Sequence, residues 1–536
     1  MNTFQACYVL LRMHRLFAFV ATAIAILSIN ALFSTSCLAD GAKPKADRSQ
    51  DRPNLVFILA DDMGWPDLRC YGNKFNESPH LDRLCRQGMK FTDFYAATPV
   101  CSSTRSTIQT GQYSTRTGIT NFVPGHFRPF EKLLEPRIDH NLGAHEIQTP
   151  GELFSAAGYA TGYFGKWHLE FGNDLKMHPK LGFATLYRDK AQLPEGRGYQ
   201  VTDRTIPKSF FKQRGKKPIG PKKIDLFTDM AIWFMEQNKD RPFFLTLAHH
   251  AVHIPVETTS KSYKKYLNKP KPKNEPGTPD VHNPYYAGMI EDMDRHIGRV
   301  LDKLDELGLA DNTIVVYTSD NGGLRIIYTA QFNGDGEIIS SNAPLRDEKG
   351  SLYEGGIRVP MIVRWPGVVQ PGSVCNEPTT TADLLPTFCQ MCDVPLPKQV
   401  IDGQSLVPLL KAPKSKLARD AIYFHYPHYH HSRPAGAIRE RDMKLIEFFD
   451  DGSLEIYDLG QDIGESNNLA KKMPERAAAM QKKLAAWRTE TGARMPTVNP
   501  KFDPARRNEW WNLISKKPLP TKKTGGIYLK SSVKDD

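Results

Sequence analysis

Four runs of the chain are apolar without a polar break: "NLVFILA" (54–60), "YATGYF" (159–164), "PFFLTLA" (242–248) and "TIVVYT" (313–318). Runs of that length without alternation predict strands covered on both faces. Helical patterns lie between them. "TPGELFSAAG" (149–158) carries a capping box, Thr149 with Glu152, and Pro150 at the first helical position. "YYAGMIEDMDRHIGRVLDKLDELG" (285–308) is amphipathic and stops at Gly308. The alternation predicts an α/β fold, a large and mainly parallel sheet sandwiched by helices, over 53–415. After about residue 415 the texture changes. "AIYFHY", "DMKLIEFF" and "SLEIYDL" are short strands at hairpin spacing with an Asp451-Gly452 turn, and a helix follows near 473–491. This predicts a smaller antiparallel sheet plus helix in a C-terminal subdomain, 416–536, ending in a basic tail.

The N-terminus has a different pattern. Arg12 and Arg15 precede an apolar run from Leu16 to Phe33, and Cys37-Leu38-Ala39 supplies small residues for cleavage after Ala39. Residues 1–39 read as a signal peptide and 40–52 as a polar leader, so the expected location is exported, periplasmic or secreted. An uncleaved anchor helix is the competing reading, and no later segment is apolar enough to span a membrane. The net charge of +12 and pI near 9.1 favour an anionic partner, whether nucleic acid, membrane or acidic substrate. Export and an acidic cluster oppose nucleic acid. Cleavage would leave six of eight cysteines. Setting Cys101 aside leaves an odd number and so an unpaired thiol. Cys70 and Cys85 could pair. Cys389-x-x-Cys392 has no second CxxC to complete a zinc site.

Each apolar run delivers polar groups at its carboxyl end, where open α/β sheets bind ligands. They are Asp61-Asp62, then Lys166-Trp167-His168, then His249-His250-Ala251-Val252-His253, then Asp320-Asn321. Any one alone would pass for a turn. Together, three carboxylates and a carboxamide make a hard-oxygen site suited to calcium or magnesium, and without a cation they are expected to repel one another. In "TPVCSSTRSTIQTGQY" (98–113), Cys101 opens a helix and Arg105 follows on the same face. A helix N-terminus lowers a thiol pKa and attracts anions, which suggests a reactive cysteine with Arg105 holding an anion; a buried inert cysteine is the alternative.

The order of "NLVFILADDMGWPDLRCYG", "TDFYAATPVCSSTRSTIQTGQY", "YFGKWHL", "HHAVHIP", "VYTSDNGG", "LRDEKGSLYEGGIRVPMIVRWPG" and "MKLIEFF…LEIYDLGQDIGESNNLA" resembles the formylglycine-dependent type I sulfatases of the alkaline-phosphatase superfamily, over about 52–490. The resemblance implies an alkaline-phosphatase-like fold with 53–415 as the catalytic domain. The family motif is Cys-x-Pro-x-Arg. Cys101 and Arg105 match it, and Ser103 replaces the proline. The resemblance implies that Cys101 is oxidised to formylglycine, whose hydrate supplies one hydroxyl to attack sulfur and a second to release sulfate. It further implies a calcium ion held by Asp61, Asp62, Asp320, Asn321 and the modified Cys101. Arg105 and Lys166 would orient the hydrate, His168 would take its proton, His253 would protonate the leaving alcohol, and Lys349 would bind sulfate. His249 and His250 are then structural or substrate-lining, and Glu354-Gly355-Gly356 is a fold-holding turn. Glu170 follows "KWHL" where relatives have glycine, with no physical account. "HYPHYHHS" (425–432) is rich in rings that could stack on a sugar at a pocket rim.

The expected function is hydrolysis of sulfate esters, most readily those of a sulfated carbohydrate, after a formylglycine-generating or equivalent enzyme modifies Cys101. A phosphate mono- or diester hydrolase on the same fold is one alternative. An unmodified, inactive polyanion-binding relative is another, and Ser103 is its only support.

Overall fold

The computed structural model describes residues 52–123, 125–138, 142, 147–169, 185–189, 206, 208–217, 219–273, 275–327, 337–512, 516–518 and 532–534. The expected signal peptide, most of the polar leader and Glu170 lie outside the described residues. Residues 52–536 form one compact unit.

Its centre is an eight-stranded sheet. In chain order the strands are β1 (Asn54–Ala60), β2 (Met89–Phe91), β3 (Ala160–Lys166), β4 (Thr185–Asp189), β5 (Phe243–Ala248), β6 (Thr313–Ser319), β7 (Met361–Arg364) and β8 (Ser373–Cys375). They lie side by side as β8-β2-β7-β6-β1-β5-β3-β4. Only β7 runs against its neighbours. β1 is central because its seven residues are all buried. Leu55, Phe57 and Leu59 enter one core, and Val56, Ile58 and Ala60 enter the other. The first core is closed by α3 (Pro150–Ala156) and α7 (Leu384–Met391), with Phe388 against Phe57 at 5.2 Å between ring centroids. The second is closed by α1 (Pro79–Gln87), α4 (Ile224–Gln237) and α6 (Pro284–Glu306). Two-sided covering is why these strands show no polar alternation.

β3 runs two residues further than its apolar core suggests, through Gly165 and Lys166. Gly165 makes this possible. Its φ is +117°, and a Cβ there would lie 1.8 Å from the Ala248 carbonyl oxygen of β5.

Strands β9 (Ile422–Tyr426), β10 (Ala435–Glu440), β11 (Met443–Phe448) and β12 (Leu454–Asp458) form an antiparallel meander. One face packs on α8 (Pro474–Glu490) through Met480, Leu484 and Trp487. The other face packs through Phe424, Ile446 and Phe448 on Tyr95, Val100, Leu352 and Ile357, which come from segments outside the meander. The segment read as a basic tail is laced back onto earlier parts of the chain. Thr497–Val498 pairs with Leu133–Leu134, Trp511–Asn512 with Phe127–His126, and Ser532–Lys534 with Glu257–Thr259. Cys70 and Cys85 are unbridged. Cys389 and Cys392 are free and buried.

Candidate active site

β1, β3, β5 and β6 all end at the same edge of the sheet, and their following residues converge there. Helix α2 (Cys101–Thr110) faces them with Cys101 as its first residue. Every residue of α2 is buried although most are polar. Its hydroxyls bond back along the helix, Ser106 and Thr107 to the Ser103 carbonyl and Thr110 to that of Ser106, so burial leaves them paired. Ser103 Oγ sits 2.5 Å from Thr98 Oγ1 and bonds the Val100 carbonyl, an anchoring role that proline cannot fill. Asp62 and His168 are each held at φ +62°, a region costly for non-glycine residues and found preferentially at functional sites.

One carboxylate oxygen each from Asp61 and Asp62, Cys101 Sγ and a ring nitrogen of His253 lie within 4.8 Å of one another, the only grouping of this kind among the described residues. Lys166 Nζ donates to both oxygens of Asp61 at 2.8 and 2.7 Å. Lys349 Nζ donates to Asp62 at 2.9 Å. Arg105 Nε donates to Asp320 at 2.8 Å, and its Nη1 donates to the Lys166 carbonyl at 2.7 Å. Asn321 Nδ2 donates to Asp62 at 2.8 Å, and the Asp62 N–H bonds Asp320. The expected mutual repulsion of the carboxylates remains and is partly offset by a buried cation beside each: burial pushes Asp320 up to about 6, with Asp61 and Asp62 adding to it and Arg105 opposing, and Asp61 likewise works to raise Asp62. Burial works to raise the Asp61 and Asp62 carboxyls, but the lysines and His253 outweigh it and hold both below the usual range.

The cluster could hold a metal ion: its donors are the Asp61 and Asp62 carboxylates, the Cys101 sulfur and a His253 ring nitrogen, and Asn321 Oδ1 is buried with no hydrogen-bond partner among the described residues. The thiol does not behave as a helix N-terminus alone would dictate. Burial pushes Cys101 well above the ordinary thiol range, against the pull of Lys166 and Lys349, so it is not a thiolate nucleophile.

The histidines separate by partner. His168 Nε2–H donates to the Val123 carbonyl, which leaves Nδ1 as the lone-pair nitrogen, buried and without a partner among the described residues. Burial, then Lys166 and Arg105, hold its pKa well below the usual value. His253 Nδ1–H donates to the Ile254 carbonyl at 2.6 Å and turns Nε2 toward Asp62 at 3.6 Å. Burial, then Lys349, push His253 down to about 3. His249 is fully buried beside His296 of α6, away from the carboxylates. Glu354 bonds Lys444, Tyr95 and Arg358 rather than the cluster.

Some groups at the site carried no signal of their own in the sequence. The Val123 carbonyl is main chain, and no residue type encodes it. Gly350 looks like one glycine among many, yet its N–H bonds the Pro99 carbonyl at 2.8 Å, and a Cβ on it would sit 2.1 Å from His430 Nδ1. The 425–432 segment is thereby brought beside Lys349, and His431 stands 3.7 Å from Glu348.

The sequence profile of the Sulfatase family matches residues 53–394, well over half of the chain. The chain belongs to the sulfatase family. A second profile, the C-terminal part of N-sulphoglucosamine sulphohydrolase, matches residues 347–490 of this sulfatase. A sulfatase of Formosa agariphila is 30% identical, with 92% of this chain and 97% of that one covered. Human arylsulfatase A is also 30% identical (78% and 83% covered), as is human steryl-sulfatase (70% and 72%). Among solved structures, Ps i-CgsB in complex with k-i-k-neocarrahexaose has a TM-score of 0.63 at 25% identity, covering 84% of this chain and 94% of that one. The sulfatase described here is accordingly a sulfuric ester hydrolase on an alkaline-phosphatase-like fold. Among the described residues no helix is long and apolar enough to cross a membrane.

Proposed function

We propose that this sulfatase is exported and removes sulfate from a sulfated carbohydrate, using Cys101 oxidised to formylglycine and a calcium ion held by Asp61, Asp62, Asp320, Asn321 and residue 101. The observation that carries this reading is the buried meeting of Asp61, Asp62, Cys101 and His253, ringed by Lys166, Lys349 and Arg105. When present, the formylglycine hydrate supplies a hydroxyl nucleophile and the cation supplies charge for the sulfate oxygens.

The chain's own groups supply the rest. His168 is neutral with its lone pair at Nδ1, the state a base needs to take a proton from a hydroxyl on residue 101. Lys349 and Lys166 are buried ammonium groups, and low surrounding polarity strengthens their hold on a sulfate oxygen. Arg105 is tied to Asp320 and to the Lys166 carbonyl, which fixes the base of the site beneath residue 101. His253 keeps Nε2 toward the cluster as a bare lone pair, because Nδ1 carries the proton; it would pass a proton to the departing alcohol oxygen only after Nε2 has first taken one up. The carbohydrate substrate is supported by the likeness to Ps i-CgsB bound to k-i-k-neocarrahexaose. Export is supported by the N-terminal pattern of Arg12, Arg15 and the apolar run that ends before Ala39.

The test is the mass of the peptide containing Cys101 in protein from its native source, together with sulfate release from sulfated saccharides. Replacement of the thiol sulfur by an aldehyde oxygen, with sulfate release, is expected. An unmodified Cys101 in fully active protein would refute the formylglycine route. An N-terminus still at Met1 in mature protein would refute cleavage after Ala39.

A further inference from the structure

A group of rings stands beside the catalytic cluster, and none of the roles above uses it. His126 and His430 stack at 5.5 Å with 26° between planes. Phe122 meets His126 edge-on at 4.8 Å and His430 at 5.6 Å, and Trp510 closes on His126 at 4.1 Å. Two links fix the group in place. On one side, Gly350 has His430 against its α-carbon and bonds Pro99, two residues before Cys101; Lys349 is its chain neighbour. On the other side, Val123, next to Phe122, accepts from His168, and its N–H bonds Ser102 Oγ at 2.9 Å. The rings thus run from the His168 side of residue 101 to the Lys349 side.

Their chemistry is specific. Burial pushes His126 down to about 3 and His430 well below the usual value, so both imidazoles are uncharged. Nε2 of His126 and Nδ1 of His430 are buried with no hydrogen-bond partner among the described residues. An unpaired buried polar atom is costly, so a pair of them beside a reaction centre calls for a ligand that satisfies them. Phe122 and His126 stay partly exposed while His430 is buried behind them, so a ligand meets the Phe122 and His126 side of the group first. Flat rings with neutral hydrogen-bonding atoms suit a ligand that has both C–H faces and hydroxyls. A simple sterol or phenol whose own hydroxyl carries the sulfate has no further hydroxyl to offer, and these imidazoles carry no charge for an anionic group.

We propose that Phe122, His126 and His430 form the subsite for the alcohol half of the substrate, and that this half is a pyranose ring with free hydroxyls beside the sulfated carbon. The proposal rests on the sulfate-ester reading above. It separates this chain from its relatives named for aryl and steryl sulfates.

The experiment is steady-state kinetics of formylglycine-bearing wild type, His126→Ala, His430→Ala and His126→Gln. The substrates are 4-methylumbelliferyl sulfate, oestrone sulfate, glucosamine 6-sulfate and ι-carrageenan oligosaccharides. Wild type is expected to prefer a saccharide. The saccharide-to-aryl ratio of kcat/KM should fall at least tenfold in each alanine variant, mainly through KM, and His126→Gln should recover part of it. Equal losses on both substrate classes, or no loss on either, would overturn the subsite. So would a wild type that cleaves aryl or steryl sulfate but no saccharide, and that result leaves the sulfatase reading standing. A wild type with verified formylglycine that cleaves no sulfate ester at all would overturn the parent reading and the subsite with it.

Discussion

Lys444→Met is the sharpest test of how the two sheets are joined. Lys444 lies on β11, is fully buried, and reaches out of the small sheet to Glu354. Its Nζ is 2.9 Å from Glu354 and 2.8 Å from Glu465. Coulomb's law at these distances, with an effective dielectric constant of about 20, gives about 6 kcal/mol per contact. Relief of the lysine's own desolvation offsets part of that loss. Removal of one partner from a buried ion pair costs about 3–5 kcal/mol, and we expect that cost here. Methionine matches the lysine stem, so no cavity confuses the result.

The pH dependence carries a sign. Burial alone would raise Glu354, but Lys444, Arg358 and Arg439 hold it down at about 2, so its stabilising effect is present above the ordinary carboxyl range and fades as pH falls toward 2. Burial lifts Glu465 to about 7, so its contribution is present at low pH and is lost as pH rises through 7. Without Lys444, Glu465 loses its only ammonium partner among the described residues and keeps the Glu354 N–H, while Glu354 keeps Arg358 and Tyr95. The deficit should be largest at pH 8 and should shrink below pH 7 as Glu465 takes a proton. Adding Glu465→Gln should recover about 1–2 kcal/mol by removing one buried charge. The assay is urea unfolding of wild type, single and double variants at pH 6 and pH 8. A single variant within about 1 kcal/mol of wild type at pH 8, or a deficit that grows on acidification, would refute the reasoning.

Three further outcomes are expected. Cys101→Ala should lower sulfate-ester hydrolysis by about 10⁴-fold or more, while its circular dichroism and unfolding midpoint stay near wild type; retention of a tenth of the activity would contradict residue 101 as nucleophile. Exhaustive chelation should abolish activity yet leave the chain folded, because Lys166, Lys349 and Arg105 already neutralise the carboxylates. Calcium should restore activity and raise the unfolding midpoint, and restoration by zinc but not calcium would contradict a hard-cation site. Gly350→Ala combines φ +85° with a Cβ 2.1 Å from His430, so it should destabilise by about 2–5 kcal/mol, against about 1–2 kcal/mol for Gly308→Ala at φ +67° with open space around it. Equal losses at the two glycines in urea unfolding would show that the His430 contact carries no strain.

What could be read from the chain alone was local. A strand covered on both faces must be apolar throughout, so β1, β3, β5 and β6 were visible as unbroken runs, and parallel strands all end at one edge. That geometry marked Asp61, Asp62, Lys166, His168, Asp320 and Asn321 as neighbours, together with His249, His250 and His253, among which only resemblance to a family chose His253. Cys101, Arg105 and Lys349 joined them only through resemblance to a family, because a helix start and a glycine-rich turn have no register with the sheet.

Tertiary structure decided everything that depends on who stands opposite whom. The carboxylates are stable together because Lys166, Lys349 and Arg105 come from three separate segments. The Cys101 thiol is raised because burial outweighs the helix terminus, and burial is a property of the whole fold. His430 packs against Gly350, 80 residues earlier, only because Gly350 lacks a side chain and the small sheet packs on Tyr95, Val100, Leu352 and Ile357. Short-range pattern encodes the elements and their direction. Charge balance, desolvation and the rings beside the catalytic cluster are set by long-range packing, which no local pattern contains.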